Sequence, residues 1–388
     1  MLWYVNQPVE KERERLDLGL GLRNEVWFFN NLACPGIGNV PHPRIYTLSI
    51  LGIHLAKELG QTSSAITVAN AIEALSLKVT YKSLNSDDYV YRGSRAFGRD
   101  SQNLSYNFLK QSKNYVTVTY RQTTTRYLTS KFGIGLVSSG TRFSSYQLSE
   151  PAISIINGLD QVENLKSWVL KGNVNLAKFN WLSLEGISKI EKEIYNSLIN
   201  SEYHNSFFSN FPNLRKNIYN LIFTGTNEKK IENFLIGDEK NAYLLSINFL
   251  EIKRLLDIEV HKAGKELNKN QYNVVPMNTL EREDMKKIID KIISFQTLLN
   301  QIELIPEQKP FIIEATKLFD DLVKTTDEKE FISKILIRAP DYFYIEKGFK
   351  YRKAPKYNPD MFNGDMLEED TYVPYSVVNL IKQLEFLK

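Results

Sequence analysis

The chain has 388 residues, 43% of them hydrophobic and 24% charged, which is typical of a soluble globular protein with two or three domains. Its single cysteine, Cys34, excludes an internal disulfide bond and a multi-cysteine zinc site, and four scattered histidines disfavour a histidine-rich metal site. No apolar run approaches the roughly 18 residues that cross a membrane. The sequence also opens without a secretory signal pattern, so we expect a cytoplasmic protein with no membrane contact.

Three helices are predicted in the first part of the chain. Asp17 is a candidate N-cap for a helix over residues 23–29, whose aromatic side chains are expected to pack inward. Apolar residues at near-helical spacing predict a second helix over 44–59. A third helix, over 65–77, is rich in small residues and carries little charge. That composition is typical of a packed helix and unlike that of a helix that reads DNA bases.

Residues 78–142, which we call the basic segment, differ in charge from the rest of the chain. The segment holds eleven basic residues against three acidic ones, a net charge of +8, whereas the whole chain is +4 and the remainder therefore −4. Because cationic side chains neutralise phosphates and aromatic faces stack on unpaired bases, we expect contact with nucleic acid, DNA in the first place. The candidate contact residues are Tyr91, Arg92, Arg95, Phe97, Arg99, Lys113, Arg121, Arg126 and Lys131.

The order of elements around the basic segment predicts a particular fold. Residues 92–99 are typical of a loop, with three arginines and two glycines, while 115–120 and 127–137 are predicted strands. Two helices followed by a basic hairpin is the order found in a winged-helix domain. The alternative is an ordinary solvated sheet face, because strands are normally rich in tyrosine and threonine. Both interpretations are open at this point.

From Trp168 onward the sequence changes to successive helices. Apolar stripes at helical spacing predict them over 184–203, 214–223, 228–236, 243–260, 280–304, 311–324 and 327–337. A hairpin over 342–352, turning at Lys347-Gly348, and a final helix over 377–387 are predicted after them. The expected fold class is α+β, with a winged-helix-like N-terminal region followed by a mainly α-helical body. The expected domains are 1–150, 151–338 and a C-terminal extension over 339–388.

The sequence lacks the motifs of the common enzyme classes. It contains no phosphate-binding loop, zinc-knuckle spacing, nucleophile elbow or kinase motif, so we expect no cofactor and a non-enzymatic role. Asp341 followed by Glu346-Lys347 superficially matches the carboxylate pattern of metal-dependent nucleases. The lysine is adjacent to the glutamate, however, and adjacent residues of a strand face opposite ways. A metal-dependent nuclease is therefore kept only as a third alternative.

Short motifs near both ends of the chain resemble those of one group of proteins. The N-terminal motifs are Leu16-Asp17 with Gly19 and Gly21, then Pro35-Gly36, then Arg44-Ile45-Tyr46 at the start of a helix. The C-terminal one, between Tyr372 and Leu387, is a short aromatic strand followed by a helix. In these stretches the chain resembles uncharacterised proteins of multi-gene bacterial anti-phage loci. The resemblance implies an accessory subunit beside an ATPase or a nuclease, and it transfers no site residue.

The sequence thus favours one function and leaves two others open. The favoured one is a non-enzymatic accessory subunit of a bacterial defence or DNA-processing complex that contacts nucleic acid through the basic segment. The first alternative is a protein–protein scaffold whose helical body docks an ATPase or a nuclease without touching nucleic acid, because an apolar helix stripe can be buried against a partner. The second is the nuclease based on Asp341 and Glu346.

Overall fold

The computed structural model describes most of the chain, and every structural statement below concerns only the residues that it describes. These are 20–36, 44–60, 65–83, 103–115, 119, 121, 125–129, 134–159, 161–172, 176–182, 190, 192, 207–226, 228–269, 274–277, 280–348, 350–362, 373–378, 380 and 381. Over them the chain is mainly helical with two small antiparallel sheets, which confirms the expected helical body.

The elements of the described residues are numbered here in chain order. The α-helices are α1 (Arg23–Ala33), α2 (Arg44–Glu58), α3 (Ala65–Ser83), α4 (Tyr106–Leu109), α5 (Glu150–Asn157), α6 (Val162–Lys171), α7 (Leu214–Phe223), α8 (Gly237–Lys269), α9 (Arg282–Leu299), α10 (Ile313–Val323) and α11 (Glu328–Leu336). The strands are β1 (Val137–Ser139), β2 (Gln147–Leu148), β3 (Val274–Pro276), β4 (Phe343–Glu346) and β5 (Lys350–Lys353). Short 3₁₀ helices occupy Ser112–Asn114, Thr125–Leu128, Phe143–Ser145, Leu176–Leu182, Glu228–Asn233, Lys309–Phe311 and Pro359–Phe362.

The chain divides into two compact units, which are described separately. The first unit comprises Met1–Glu10, Cys34–Thr226 and Tyr375–Lys388, and the second comprises Lys11–Ala33 and Asn227–Pro374. The predicted division into three domains, at residues 150 and 338, stays a prediction.

The first unit is built on the packed pair α2 and α3. Apolar and small residues occupy most positions on all sides of both helices. Nearly every described side chain between residues 46 and 56 and between 65 and 80 is accordingly buried or half-buried. The two helices approach closely where Gly52 of α2 faces Ala69 of α3. Two turns further along α3, the Ser76 hydroxyl donates a hydrogen bond to the Leu182 carbonyl, 2.9 Å away. The third predicted helix is therefore a core element, as its low charge indicated.

The described residues do not show the predicted winged-helix hairpin, although Val137, the last residue of its second predicted strand, belongs to β1 and forms an isolated bridge with Thr129. Tyr115 ends a 3₁₀ helix and residues 125–128 form another, whereas the first small sheet lies further along, with Val137 paired to Leu148. The side chains of Tyr115 and Leu128 are fully buried. The alternating β-branched and aromatic residues of 115–120 indicate that one side of this stretch is buried. At its start, the 3₁₀ helix before Tyr115 packs against α3.

The second unit is organised around the 33-residue helix α8, which packs against α1 and α9. Aromatic rings join these helices: the ring centroids of Phe29 and Phe249 lie 4.2 Å apart, and those of Phe295 and Phe319 lie 5.3 Å apart. Phe28 and Phe29 are fully buried, which confirms that the aromatic residues of the first predicted helix pack inward. These contacts form the apolar core of the unit.

A three-stranded antiparallel sheet, in the order β3-β5-β4, completes the second unit. The predicted hairpin over 342–352 is confirmed, and Gly348 supplies the left-handed turn between β4 and β5 with φ of +79°. Its inner face is fixed to α8 by hydrogen bonds. Tyr351 donates to the Ala263 carbonyl at 3.2 Å, and the single hydroxyl hydrogen of Tyr357 is shared between the Gly264 carbonyl and Asn268 Oδ1, each 2.8 Å from the hydroxyl oxygen. Burial raises the pKa of both phenols.

Replacing Tyr357 with phenylalanine is expected to lower the free energy of unfolding at neutral pH by about 1–2 kcal/mol, because the two acceptors lose the hydroxyl hydrogen that they share. The raised pKa of the buried phenol means that the folded chain keeps this proton where the unfolded chain has lost it. The stabilisation is therefore complete below about pH 10 and is lost as the pH rises further. Urea unfolding on both sides of that pH should show the difference between the two proteins shrinking, and a constant difference would contradict the assignment.

Candidate nucleic-acid interface

The structure describes only part of the predicted contact set. Lys113 and Arg121 are described with their side chains, and Arg126 is described by its backbone alone, in the 3₁₀ helix Thr125–Leu128. The remaining candidates lie outside the described residues, and their role stays a prediction: Tyr91, Arg92, Arg95, Phe97, Arg99 and Lys131.

Two lysines of the basic segment lie at or just after the end of the short helix α4. Lys113 is exposed, and the Lys110 ammonium lies 5.5 Å from the centre of the Tyr106 ring and 2.8 Å from Asn107 Oδ1. Tyr106 itself is buried, edge-to-face with Trp168 at 5.8 Å. Because Trp168 also donates a hydrogen bond to the Leu104 carbonyl at 3.0 Å, α4 is held from its inner side while its lysines remain accessible to a polyanion.

Arg121 has a different environment. Its guanidinium lies over the ring of Phe143, 5.4 Å from the ring centre, in a half-buried position. Burial lowers the pKa of this guanidinium, whereas the nearby Tyr115 and Glu73 act in the opposite direction. Glu73 belongs to α3 and is itself buried. The Arg121 guanidinium thus packs on Phe143 and is favoured electrostatically by the buried Glu73 of α3, and its predicted phosphate contact stays a prediction.

The aromatic residues of the basic segment do not all present a face to solvent. Tyr106 and Tyr115 belong to the core, and Tyr127 is half-exposed. Just after the segment, Tyr146 donates a hydrogen bond to the Thr125 carbonyl at 3.1 Å, and burial raises the pKa of its phenol. Tyr106, Tyr115 and Tyr146 therefore support this region from inside, and the predicted stacking of Tyr91 and Phe97 on bases stays a prediction.

The carboxylates of the nuclease alternative belong to two separate ion pairs, with Asp341 two residues before β4 and Glu346 at its last position. Lys356 Nζ is 2.9 Å from Asp341 Oδ1, and Arg352 Nε is 3.2 Å from Glu346 Oε1. In the described part of the chain, no three His, Cys, Asp or Glu side chains gather as a metal site. This arrangement does not bring the two carboxylates to one metal ion.

One residue that shapes the candidate interface could not be predicted. Phe143 lies 22 positions after Arg121, and its only sequence signal is an aromatic residue next to Arg142, which is a common pairing.

None of the helices in the described residues combines the length and apolar character of a membrane span. In comparisons with family models, curated proteins and solved structures, nothing matches this chain.

Proposed function

We propose that this chain is a non-enzymatic, cytoplasmic accessory subunit of a bacterial defence or DNA-processing complex, and that it contacts DNA through the basic segment. One observation carries the proposal: the segment has a net charge of +8 in a chain that is otherwise −4. A polyanion is therefore attracted most strongly to the basic segment, while the net charge of the remainder does not favour it.

The positions of the described cations also support this assignment. Lys113 and Arg142 are exposed, and Lys110 is half-exposed, so that phosphates can reach all three. Arg121 supports the segment from inside. The helix pair α2 and α3 precedes these residues as the helices of a winged-helix domain precede its wing. Because α3 is buried, we assign phosphate contact to the segment and its arginine-rich loop, and no base reading to α3.

Replacing Arg92, Arg95 and Arg99 together with alanine is the test. For duplex DNA, each lost phosphate contact reduces the slope of log affinity against log salt concentration by about 0.9, so the slope should become shallower by up to about 2.7. Fluorescence anisotropy with a labelled duplex over a series of salt concentrations measures this directly. The matched control removes three exposed lysines of the second unit, Lys286, Lys287 and Lys329, and should leave the slope nearly unchanged. Equal slopes for all three proteins would refute the proposal.

The scaffold alternative is favoured by a separate feature of the second unit. A groove of about 570 Å³ runs between the end of α9 and α10 and is lined mainly by Leu299, Ile302, Leu304, Ile312 and Ile313. An open apolar groove is a common docking site for a partner helix. This alternative predicts no binding of labelled DNA by the isolated chain, together with stable co-purification with a neighbouring subunit. The nuclease alternative predicts plasmid cleavage in the presence of Mg²⁺ or Mn²⁺.

A further inference from the structure

The outer face of the C-terminal sheet carries an exposed aromatic–cation pair. Register places Tyr344 opposite Arg352 and Glu346 opposite Lys350, with all four on the side of the hairpin that points away from the core. Tyr344 is 52% exposed, and the Arg352 guanidinium lies 4.5 Å from the centre of its ring. We call these four residues together with Lys347, at the turn, the outer sheet face.

Charge is concentrated at this face as well. Residues 341–356 hold five basic residues against two acidic ones, a net charge of +3, while the chain outside this stretch and the basic segment is −7. The two acidic residues are each engaged by one cation, Asp341 by Lys356 and Glu346 by Arg352. Lys347 and Lys350 are exposed and have no carboxylate within ion-pair distance among the described residues. They are therefore available to an anion from outside.

The inner face of the same hairpin already accounts for its stability. Phe343 and Tyr351 are buried there, with ring centroids 5.9 Å apart, and Tyr351 is bonded to α8. The outer pair adds little to that core, because a cross-strand contact at an exposed position contributes less than about 1 kcal/mol. A half-exposed tyrosine stacked with an arginine and flanked by two available lysines is, in contrast, the combination that binds unpaired bases and their phosphates.

We infer that the outer sheet face binds single-stranded nucleic acid. A base stacks on the Tyr344–Arg352 pair, and Lys347 and Lys350 neutralise adjacent phosphates. A duplex is a poorer ligand because its bases are already stacked on each other and offer no face to the tyrosine. An acidic peptide would use the lysines but would gain nothing from the aromatic ring. This inference depends on residues of the second unit only and does not require the basic segment to bind anything.

Anisotropy of a labelled oligothymidylate with the full chain tests the inference. Replacing Tyr344 with alanine is expected to weaken binding about 5- to 150-fold, the range that one lost base–aromatic stack produces. Tyr344→Phe keeps the ring and should bind as the unchanged protein does. Replacing Lys347 and Lys350 together with alanine should reduce the salt slope by about 1.4, because each phosphate contact on a single strand contributes about 0.7.

The controls separate this site from general charge and from folding. Tyr344→Thr keeps a β-branched residue in the strand and should lose affinity as the alanine variant does, whereas Lys286→Ala with Lys287→Ala should lose little. Unchanged binding by both ring-removing variants would overturn the inference, as would displacement of the strand by polyglutamate at equal charge. If Tyr344→Ala weakens binding while the triple arginine variant changes nothing, the outer sheet face stands and the proposed role of the basic segment fails.

Discussion

Replacing Gly52 with alanine is expected to destabilise the first unit by about 3 kcal/mol or more, because the added methyl group has no room. A Cβ atom at this position would lie 2.5 Å from the Cβ and 2.6 Å from the Cα of Ala69. The second of these is a backbone atom of α3, so no side-chain rotation relieves the overlap. The two helices would have to separate, and both are buried on nearly all sides.

A second substitution makes this prediction specific. Ala69→Gly removes one of the two overlapping atoms and should recover part of the stability lost in Gly52→Ala, but not all of it, since the Cα of residue 69 remains. Alone, Ala69→Gly should cost about 1 kcal/mol through helix propensity. Urea unfolding followed by circular dichroism gives the four free energies of this cycle. Additive effects of the two substitutions would show that α2 and α3 do not cross at these residues.

Replacing Gly264 with alanine is expected to cost about 2–3 kcal/mol in the second unit. An ideal Cβ at Gly264 would overlap the ring carbons of Phe362, which is fully buried. That ring is confined by its neighbours, with the Tyr357 ring stacked at 5.1 Å and the Phe343 ring at 5.7 Å. The sign of the change in the free energy of unfolding distinguishes this overlap from helix propensity. Alanine in place of glycine inside a helix normally stabilises by up to about 1 kcal/mol.

The matched experiment repeats the Gly264 substitution in a chain that already carries Phe362→Ala. There the overlap is absent, so Gly264→Ala should be neutral or stabilising by the helix-propensity difference. Chemical denaturation midpoints of the four proteins decide the matter. A loss of the same size in both backgrounds would mean that the ring of Phe362 is not what restricts position 264.

Several elements could be predicted because their signals are local. The helix over 214–223 was expected and is observed at those residues, and Asp327 caps α11 by accepting a hydrogen bond from the Glu330 amide at 2.8 Å. Strand alternation and Gly348 similarly predicted the hairpin. Capping, helical spacing and turn chemistry act over a few residues, so that one sequence is enough to recognise them.

Other features depend on contacts between distant residues and were missed or misassigned. Residues 228–233 form a 3₁₀ helix where an α-helix was expected, and Tyr115, the first residue of a predicted strand, is buried after a 3₁₀ helix that packs against α3. In the candidate interface, the excess of cations could be predicted from the sequence. The orientation of the Arg121 side chain, toward Phe143, could not. Its direction depends on Phe143 and Glu73, which no short pattern connects to it.

The left-handed turn at Gly348 helps to set the register of β4 and β5, and the register decides on which side of the C-terminal sheet the cations lie. Side chains alternate along a strand, so a hairpin shifted by one residue would exchange its two surfaces completely. Arg352 would then face the helix carbonyl that now accepts from Tyr351, and the phenol would be left in water. The turn at Gly348 thus helps to keep the Arg352 guanidinium out of the apolar interior of the second unit. The polar outer surface of the sheet depends in this way on a backbone angle in a turn.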